Sequence, residues 1–181
     1  EKDQSLYDGF NKAIKLARGN LIGIINSDDI YLKEGIKTIV KYYENKKEID
    51  FIFGSVQKHW GILHGYKPWK IFWNWEFYSS HSSGFFITKK ASKIVGEYNI
   101  NYKIHADYDY FYRMIVKQKL KGISTKKSEL IGVFRRGGFS STVPFYDHFA
   151  EETRIRIENK QNKLMVLLIF INKFLRNLDR L

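Results

Sequence analysis

Cysteine is missing from all 181 residues. That excludes a disulfide framework, a thiolate metal centre and a cysteine nucleophile, and it is compatible with a reducing compartment. A secretory leader pattern is missing as well, because Glu1-Lys2-Asp3-Gln4 is polar where an apolar stretch is needed. The longest apolar run, 164–171, is well short of the ~20 residues that span a bilayer, so the expectation is a protein not integral to a membrane. There is no internal repeat, no low-complexity linker, and no basic helix or RNP-like run, which argues against a nucleic-acid partner. Acidic residues are outnumbered, 19 against 31 Lys and Arg, giving a net charge of +12. The basic residues are scattered in pairs and do not form one arm. They suit a generally solvated basic face and, equally, an anionic partner such as a diphosphate or an anionic lipid surface.

Aromatic residues are plentiful at 17%, with 12 Tyr, 14 Phe and 4 Trp, enough for a packed core and for exposed rings that grip a ligand such as a sugar. The length suits one domain with a real core. Abundant Lys, Ile and Asn match the usage of AT-rich bacterial genomes.

Periodicity gives the organisation. Leu6, Phe10, Ile14 and Ala17 share a helical face that stops at Gly19, and the apolar run 21–25 then reads as a buried parallel strand. A second helix is expected over roughly 32–45, and the strand 51–54 follows. The stretch 57–78, rich in Trp, reads as a hairpin or long active-site loop. Further on come a strand over 82–88, a short helix through Val95-Gly96, a helix over 107–119, a strand over 129–134 and helices from Pro144 onward. Alternation of this kind argues for an α/β domain with a mostly parallel sheet flanked by helices.

Asn26-Ser27-Asp28-Asp29 follows the first strand directly. Adjacent carboxylates repel, so a strand end keeps both where a cation or hydrogen-bond donors compensate. In open α/β sheets the ligand crevice lies outside the carboxyl ends of the strands. Hard oxygens there suit Mg²⁺ or Mn²⁺, shared between a carboxylate and substrate phosphates. A helix cap ahead of Leu32 is an equally open role for Asp29. Asp107, at a helix start, is a candidate acid–base carboxylate and also a candidate N-cap, with Asp109 favoured beside it by the helix dipole.

Several segments together resemble family 2 glycosyltransferases of the GT-A fold, a Rossmann-like architecture. They are the opening run 1–12 (EKDQSLYDGFNK), Ala17-Arg18-Gly19, Ile25-Asn26-Ser27-Asp28-Asp29, His81-Ser82-Ser83-Gly84-Phe85-Phe86, Val95-Gly96-Glu97-Tyr98, the run 105–113 (HADYDYFYR) and Gly137-Gly138-Phe139-Ser140. The resemblance covers residues 1 to about 142, and its specificity lies in the order and spacing of the motifs. It implies a partial GT-A domain over 1–143, N-terminally truncated because no strand–helix–strand unit precedes the first helix, with a C-terminal helical tail over 144–181. It implies metal binding by Asp29, with Mg or Mn as the divalent cation. Asp28, Lys12 and Asp8 then fall on the side of a nucleotide-sugar donor, and Asp107 is the base of an inverting transfer. His81, Arg135 and Arg136 are acceptor-side or lid candidates; a structural histidine and solvated loop arginines are the plainer readings of the three.

The implied activity is transfer of a sugar to a growing surface glycan or lipid-linked acceptor, as in polysaccharide biosynthesis at a cell envelope. A catalytically inactive fragment or interaction module that keeps the fold is the alternative. Trp60, Trp69, Trp73 and Trp75 are candidates to stack on an acceptor sugar, with hydrophobic contacts beneath a loop the plainer reading for most of them. Residues 164–171, flanked by Lys160, Lys163, Lys173, Arg176 and Arg180, suit a helix lying in an anionic membrane interface, and equally a helix packed on the sheet or against another subunit. The implied location is the cytoplasm, with peripheral contact on the inner face of the plasma membrane.

Overall fold

The computed structural model describes residues 2–46, 48–73, 77–135 and 142–178. Helix α1 spans Leu6–Leu16 and opens on Ser5, whose side chain accepts the amide of Asp8. Asp8 in turn accepts the amide of Gln4 at 2.9 Å, so two otherwise orphaned donors are satisfied reciprocally. The inward face carries Tyr7 and Asn11. Asn11 clasps the backbone of Tyr98 from both ends of its amide, at 2.9 and 2.8 Å, and so ties the helix to a segment far along the chain.

The strands are short: β1 (Leu21–Gly23), β2 (Ile30–Tyr31), β3 (Phe51–Phe53), β4 (Ser55–Lys58), β5 (Gly61–Leu63), β6 (Phe85–Thr88), β7 (Gly122–Ser124) and β8 (Leu130–Val133). They make two sheets, ordered β1-β6-β3-β7 and β2-β8-β4-β5. In the first, β6 runs against its neighbours β1 and β3 while β7 lies parallel to β3, so three of the four strands share a direction. The second sheet is evenly mixed, with β8 parallel to β4 and the outer strands β2 and β5 reversed. This is the expected α/β class.

The run at 21–25 differs from its sequence reading. It sits at the edge of its sheet, paired only with an antiparallel neighbour among the described residues, and Gly23 and Ile25 face outward. Continuous apolarity here reflects two packed sides: Ile22 and Ile24 lie on the main core, while Leu21 packs against a second cluster and a Cβ at Gly23 would lie 2.6 Å from the Phe86 ring.

Phe51, Phe53 and Phe85 are fully buried; Phe53 and Phe85 meet Phe111 of helix α4 (Ala106–Tyr112) with ring centroids 5.4 and 4.8 Å from it, and Phe51 packs edge-on against Phe53 at 5.6 Å. Each such ring contributes roughly 2–3 kcal/mol by leaving water. Helices α2 (Gly35–Asn45) and α3 (Lys89–Val95) flank the strands, and α3 ends at Gly96, whose φ of +82° suits glycine. Gly132 is required for closeness: a Cβ there would lie 2.7 Å from the Ile30 carbonyl oxygen and 2.8 Å from the Cβ of Ser83. Beyond α4 the helix widens into a π turn, Arg113–Lys117, where the sequence predicts one unbroken helix.

Helix α5 (Phe145–Glu158) is joined to the core. Arg156, 1% exposed, pairs with Glu152 at 2.9 Å and donates to the carbonyl of Phe72 and to Gln161. Glu151 accepts the backbone amides of Lys103, Ile104 and His105, and thereby shapes the chain just ahead of Asp107. Helix α6 (Lys163–Arg176) starts at Asn162, which caps the amide of Met165, and buries Val166. Leu164, Leu167, Leu168 and Leu175 are all more than half exposed. Among the described residues no helix is long and apolar enough to cross a membrane.

Candidate active site

Two cavities adjoin where the segments after β1, before β6 and at the start of α4 converge, and Asp107 lines both. The first, of about 350 Å³, is bounded by Tyr7, Asn26, Asp28, Ser82, His105 and His148. The second, of about 580 Å³, carries Lys58, Trp60, His64, Lys67 and Lys70. Tyr78, His81, Asp107 and Phe134 are common to the two and form the wall between them.

The acidic pair sits on a turn. The Asp29 amide donates to the Asn26 carbonyl at 3.1 Å, and the Asn26 amide donates to the Ser82 hydroxyl at 2.8 Å, pinning the turn to the chain ahead of β6. Asp29 leads into β2 and caps no helix; α2 begins later, behind Glu34. Asp28 points to the first cavity, while Asp29 is only 8% exposed. One Asp29 oxygen, Oδ1, accepts the backbone amide of Arg135 at 3.0 Å. The other, Oδ2, is buried with no hydrogen-bond partner among the described residues, and so is Oδ1 of Asn26. Burial pushes the Asp29 carboxyl above its ordinary range, the Ser82 hydroxyl and Arg135 amide draw it back, and the charge of Asp28 raises it again. An unsatisfied, half-desolvated carboxylate beside an unsatisfied amide oxygen is chemically suited to a hard cation.

Asp107 occupies the first turn of α4, behind His105 as the cap residue. Its Oδ1 accepts the amide of Tyr108 at 2.8 Å. The hydroxyls of Tyr7 and Tyr78 stand 3.5 Å from its two oxygens, at the long limit of hydrogen bonding. Protein surrounds the carboxyl, yet part of it stays open to the cavities. Burial pushes it up to about 7, with the Tyr108 amide the strongest opposing influence. A carboxyl that titrates near neutrality and faces two adjoining cavities is equipped to take a proton from a bound hydroxyl. Burial also raises Tyr7 and Tyr78 well above the ordinary phenol range, so both stay protonated; Tyr7 donates its proton to the Ile104 carbonyl at 2.8 Å.

The other predicted residues divide. His81 lines both cavities, but its Nε2 is tied to the Tyr98 hydroxyl at 2.9 Å and its ring packs among Phe10, Phe85 and Phe111. Burial lowers it to about 3, which keeps it neutral. It is a wall, not a titrating group. Lys12 and Asp8 lie outside both cavities. They pair with each other at 2.8 Å, and Lys12 also meets Asp3 at 3.1 Å. An i,i+4 pair and a helix cap engage them. Arg135 contributes its backbone amide to Asp29, with its side chain exposed. Arg136, the loop 137–140 and Trp75 lie outside the described residues. Trp60, Trp69 and Trp73 are 61%, 64% and 57% exposed, so they are not the buried loop contacts expected of them.

Sequence reasoning missed Tyr7 and Tyr78, Lys58, and the pairing of His148 with His105, whose ring nitrogens lie 3.2 Å apart. Tyr7 sits inside the motif quoted for the first helix, which was a usable signal. Lys58 had none, being one lysine of many. Its ammonium stands 4.1 Å over the Phe134 ring, near Asp29, and burial lowers it from its ordinary value.

Comparison with known proteins bears on the family and the fold. The family model described as Glycosyl transferase family 2 matches residues 1–114. The uncharacterized glycosyltransferase MJ1057 of Methanocaldococcus jannaschii is 32% identical over 113 residues, 58% of this chain and 39% of that protein. The structure of S. aureus TarS 1–349 superposes with a TM-score of 0.62 at 12% identity, covering 94% of this chain and 51% of that one. TarS 1–349 in complex with UDP gives 0.60 at 14%, covering 91% and 49%. Its complex with UDP-GlcNAc gives 0.58 at 13%, covering 87% and 47%. At these identities the likeness to TarS is one of fold, and the chain spans about half or less of the length of each relative.

Proposed function

The chain belongs to glycosyl transferase family 2, and with Asp107 placed between two cavities we propose that it moves a sugar from a nucleotide-diphosphate donor to an acceptor hydroxyl with inversion. The donor occupies the cavity of Asp28 and the acceptor that of Trp60. A nucleotide sugar is supported by the UDP and UDP-GlcNAc held in the TarS complexes, which makes UDP-GlcNAc the first donor to test. A surface glycan or lipid-linked chain is the proposed acceptor.

In this reading Asp107 takes the proton of the acceptor hydroxyl as that oxygen bonds to the anomeric carbon, opposite the diphosphate. The bond from the anomeric carbon to the phosphate oxygen breaks in the same step, and the nucleoside diphosphate leaves with the electron pair. Tyr78 faces one oxygen of the carboxylate as a distant donor, while Tyr7, whose proton goes to the Ile104 carbonyl at 2.8 Å, packs beside the other. His81 and Phe134 keep the wall between the cavities apolar and uncharged. Asp29, with Asn26 beside it, would hold Mg²⁺ or Mn²⁺. Among the described residues no group of three or more His, Cys, Asp or Glu is arranged to hold an ion, so the remaining ligands would be substrate phosphates. Such a cation neutralises the charge that builds on the leaving diphosphate.

The unpartnered Asp29 oxygen and the raised Asp107 carboxyl carry this reading against an inactive remnant, since both burden the fold without supporting it. Helix α6 supports peripheral contact with an anionic membrane: Leu164, Leu167, Leu168 and Leu175 are exposed between Lys163 and Arg176. Lys173, expected in that basic rim, turns instead to Glu152. The test is transfer and donor hydrolysis by the full chain from a panel of nucleotide sugars with Mn²⁺. Asp107→Asn is expected to lose about 10²–10⁴-fold in turnover. Wild-type rates in that variant would remove the base assignment.

A further inference from the structure

The second cavity has a charge pattern that transfer to a hydroxyl does not require. Lys58, Lys67 and Lys70 line it together with His64, and Asp107 is its only carboxylate among the described residues. Neither Lys58 nor Lys67 has a carboxylate within ion-pair distance among the described residues, although this chain pairs many of its other cations on the surface. Lys58 is the more telling of the two. It is partly desolvated over the Phe134 ring, and burial lowers its ammonium from the ordinary value, a state that an arriving anion would relieve. Trp60 stands at the same cavity with most of its indole exposed, a flat apolar face suited to a sugar or polyol carbon skeleton.

Position fixes what these groups can meet. Lys67 and Lys70 line only the cavity beyond the Tyr78, His81 and Phe134 wall from Asp28, so they face the acceptor and not the diphosphate of the donor; Lys58 borders the same cavity on its Asp29 side. Lys58 belongs to β4, next to the hairpin turn into β5, while Lys67 and Lys70 sit at and within the 3₁₀ turn Pro68–Phe72. The cations therefore come from two separate segments that border one cavity. We infer that the acceptor is an anionic polymer, a glycan or polyol chain whose phosphate or carboxylate groups fall on these lysines while a neighbouring hydroxyl reaches Asp107. The inference rests on the acceptor side proposed above and narrows its chemical class.

Binding to the full chain by calorimetry tests it, with three oligomers of matched length: glycerol phosphate, galacturonate and a neutral maltooligosaccharide. At least one anionic oligomer is expected to bind about tenfold or more tighter than the neutral one, with an affinity that falls as salt is added. The phosphate and galacturonate arms tell which anion the site takes. Lys67→Glu with Lys70→Glu is expected to lose about tenfold in that affinity, while Lys67→Arg with Lys70→Arg retains it, which separates charge from misfolding. Equal binding of all three oligomers, or an unchanged affinity in the charge-reversed protein, overturns the inference. Donor hydrolysis that depends on Asp107 is measured in parallel. Its absence alongside selective anion binding would count against the transfer reading and leave the cavity assignment standing.

Discussion

Asp107→Asn should make the chain less active and, above neutral pH, more stable. In the folded chain burial holds the Asp107 proton up to about pH 7, against 3.8 for an ordinary Asp. The folded state therefore binds more protons than the unfolded one between those values, and stability falls as pH rises through the window. The whole window corresponds to about 4 kcal/mol, of which about 2.5 kcal/mol falls between about pH 5 and pH 8. Partial opening to the cavities lets water screen the charge and trims that figure to about 1–2.5 kcal/mol. Asparagine keeps the shape, still accepts the Tyr108 amide and does not ionise. The assay is urea unfolding of both proteins at the two pH values. Subtracting the mutational change at the lower pH from that at the higher cancels packing differences and the titration of every distant group. The expected remainder is a gain of about 1–2.5 kcal/mol for Asn at the higher pH. Turnover of the wild type should meanwhile rise through pH 7. A remainder of zero, or one of opposite sign, would show that the carboxyl is not proton-bound in the folded apo chain, and the argument for a poised base would fail.

Other expectations follow from the same geometry. Lys12→Ala removes only a partly exposed pair with Asp8 and Asp3, so steady-state kinetics should show kcat/KM within about threefold of wild type and urea unfolding a loss of about 0.2–1 kcal/mol. A large fall in kcat/KM would restore Lys12 to the donor site. Asp29→Ala should abolish any rise in melting temperature produced by Mn²⁺ together with UDP, read by scanning fluorimetry, because binding to the native state alone is what raises it. An undiminished rise would place the cation elsewhere. Leu167→Asp with Leu168→Asp should release the full chain from vesicles containing anionic lipid in a flotation assay, since two exposed apolar side chains of α6 are lost. Unchanged flotation would sink the membrane role of that helix.

How much of this was legible in the sequence varies by element, and the reasons are physical. The N-terminus of α1 could be read because a cap is local: Ser5 and Asp8 stand three residues apart and meet within one turn. The turn at 26–29 was readable for the same reason. Strands β2 and β7 were not, because two or three residues such as Ile30-Tyr31 or Gly122-Ile123-Ser124 carry no periodicity of their own. They exist because partners distant in sequence supply the other half of each ladder. Arg156 shows the same limit from the side of burial. In the sequence it is one more basic residue on a helix, and only Glu152, Gln161 and the Phe72 carbonyl, gathered from two regions, make its burial tolerable. Lys58 joined the site by the pairing of β4 with β8, which sets it against Phe134.

Asp107 and Asp109 show how one helix turn separates a reactive carboxylate from a structural one. Both stand in the first turn of α4, so the helix dipole favours both and cannot distinguish them. Their partners do. Asp109, 5% exposed, is saturated: Oδ2 pairs with Arg113 at 2.9 Å and Oδ1 accepts from Asn159 at 2.8 Å. Arg113 donates onward to the carbonyl of Glu97, so this carboxylate links α4 both to the chain after α3 and to the end of α5. Asp107 has one firm donor and two distant hydroxyls, which leaves lone pairs for a ligand. Asp109→Asn should therefore cost stability. Breaking a buried pair costs about 3–5 kcal/mol, and the partial exposure of Arg113 reduces this to about 2–3 kcal/mol. Urea unfolding should show that loss, with turnover of the folded fraction retained. If Asp109→Asn instead reproduced the pH signature expected of Asp107→Asn, the two roles would have been assigned to the wrong residues.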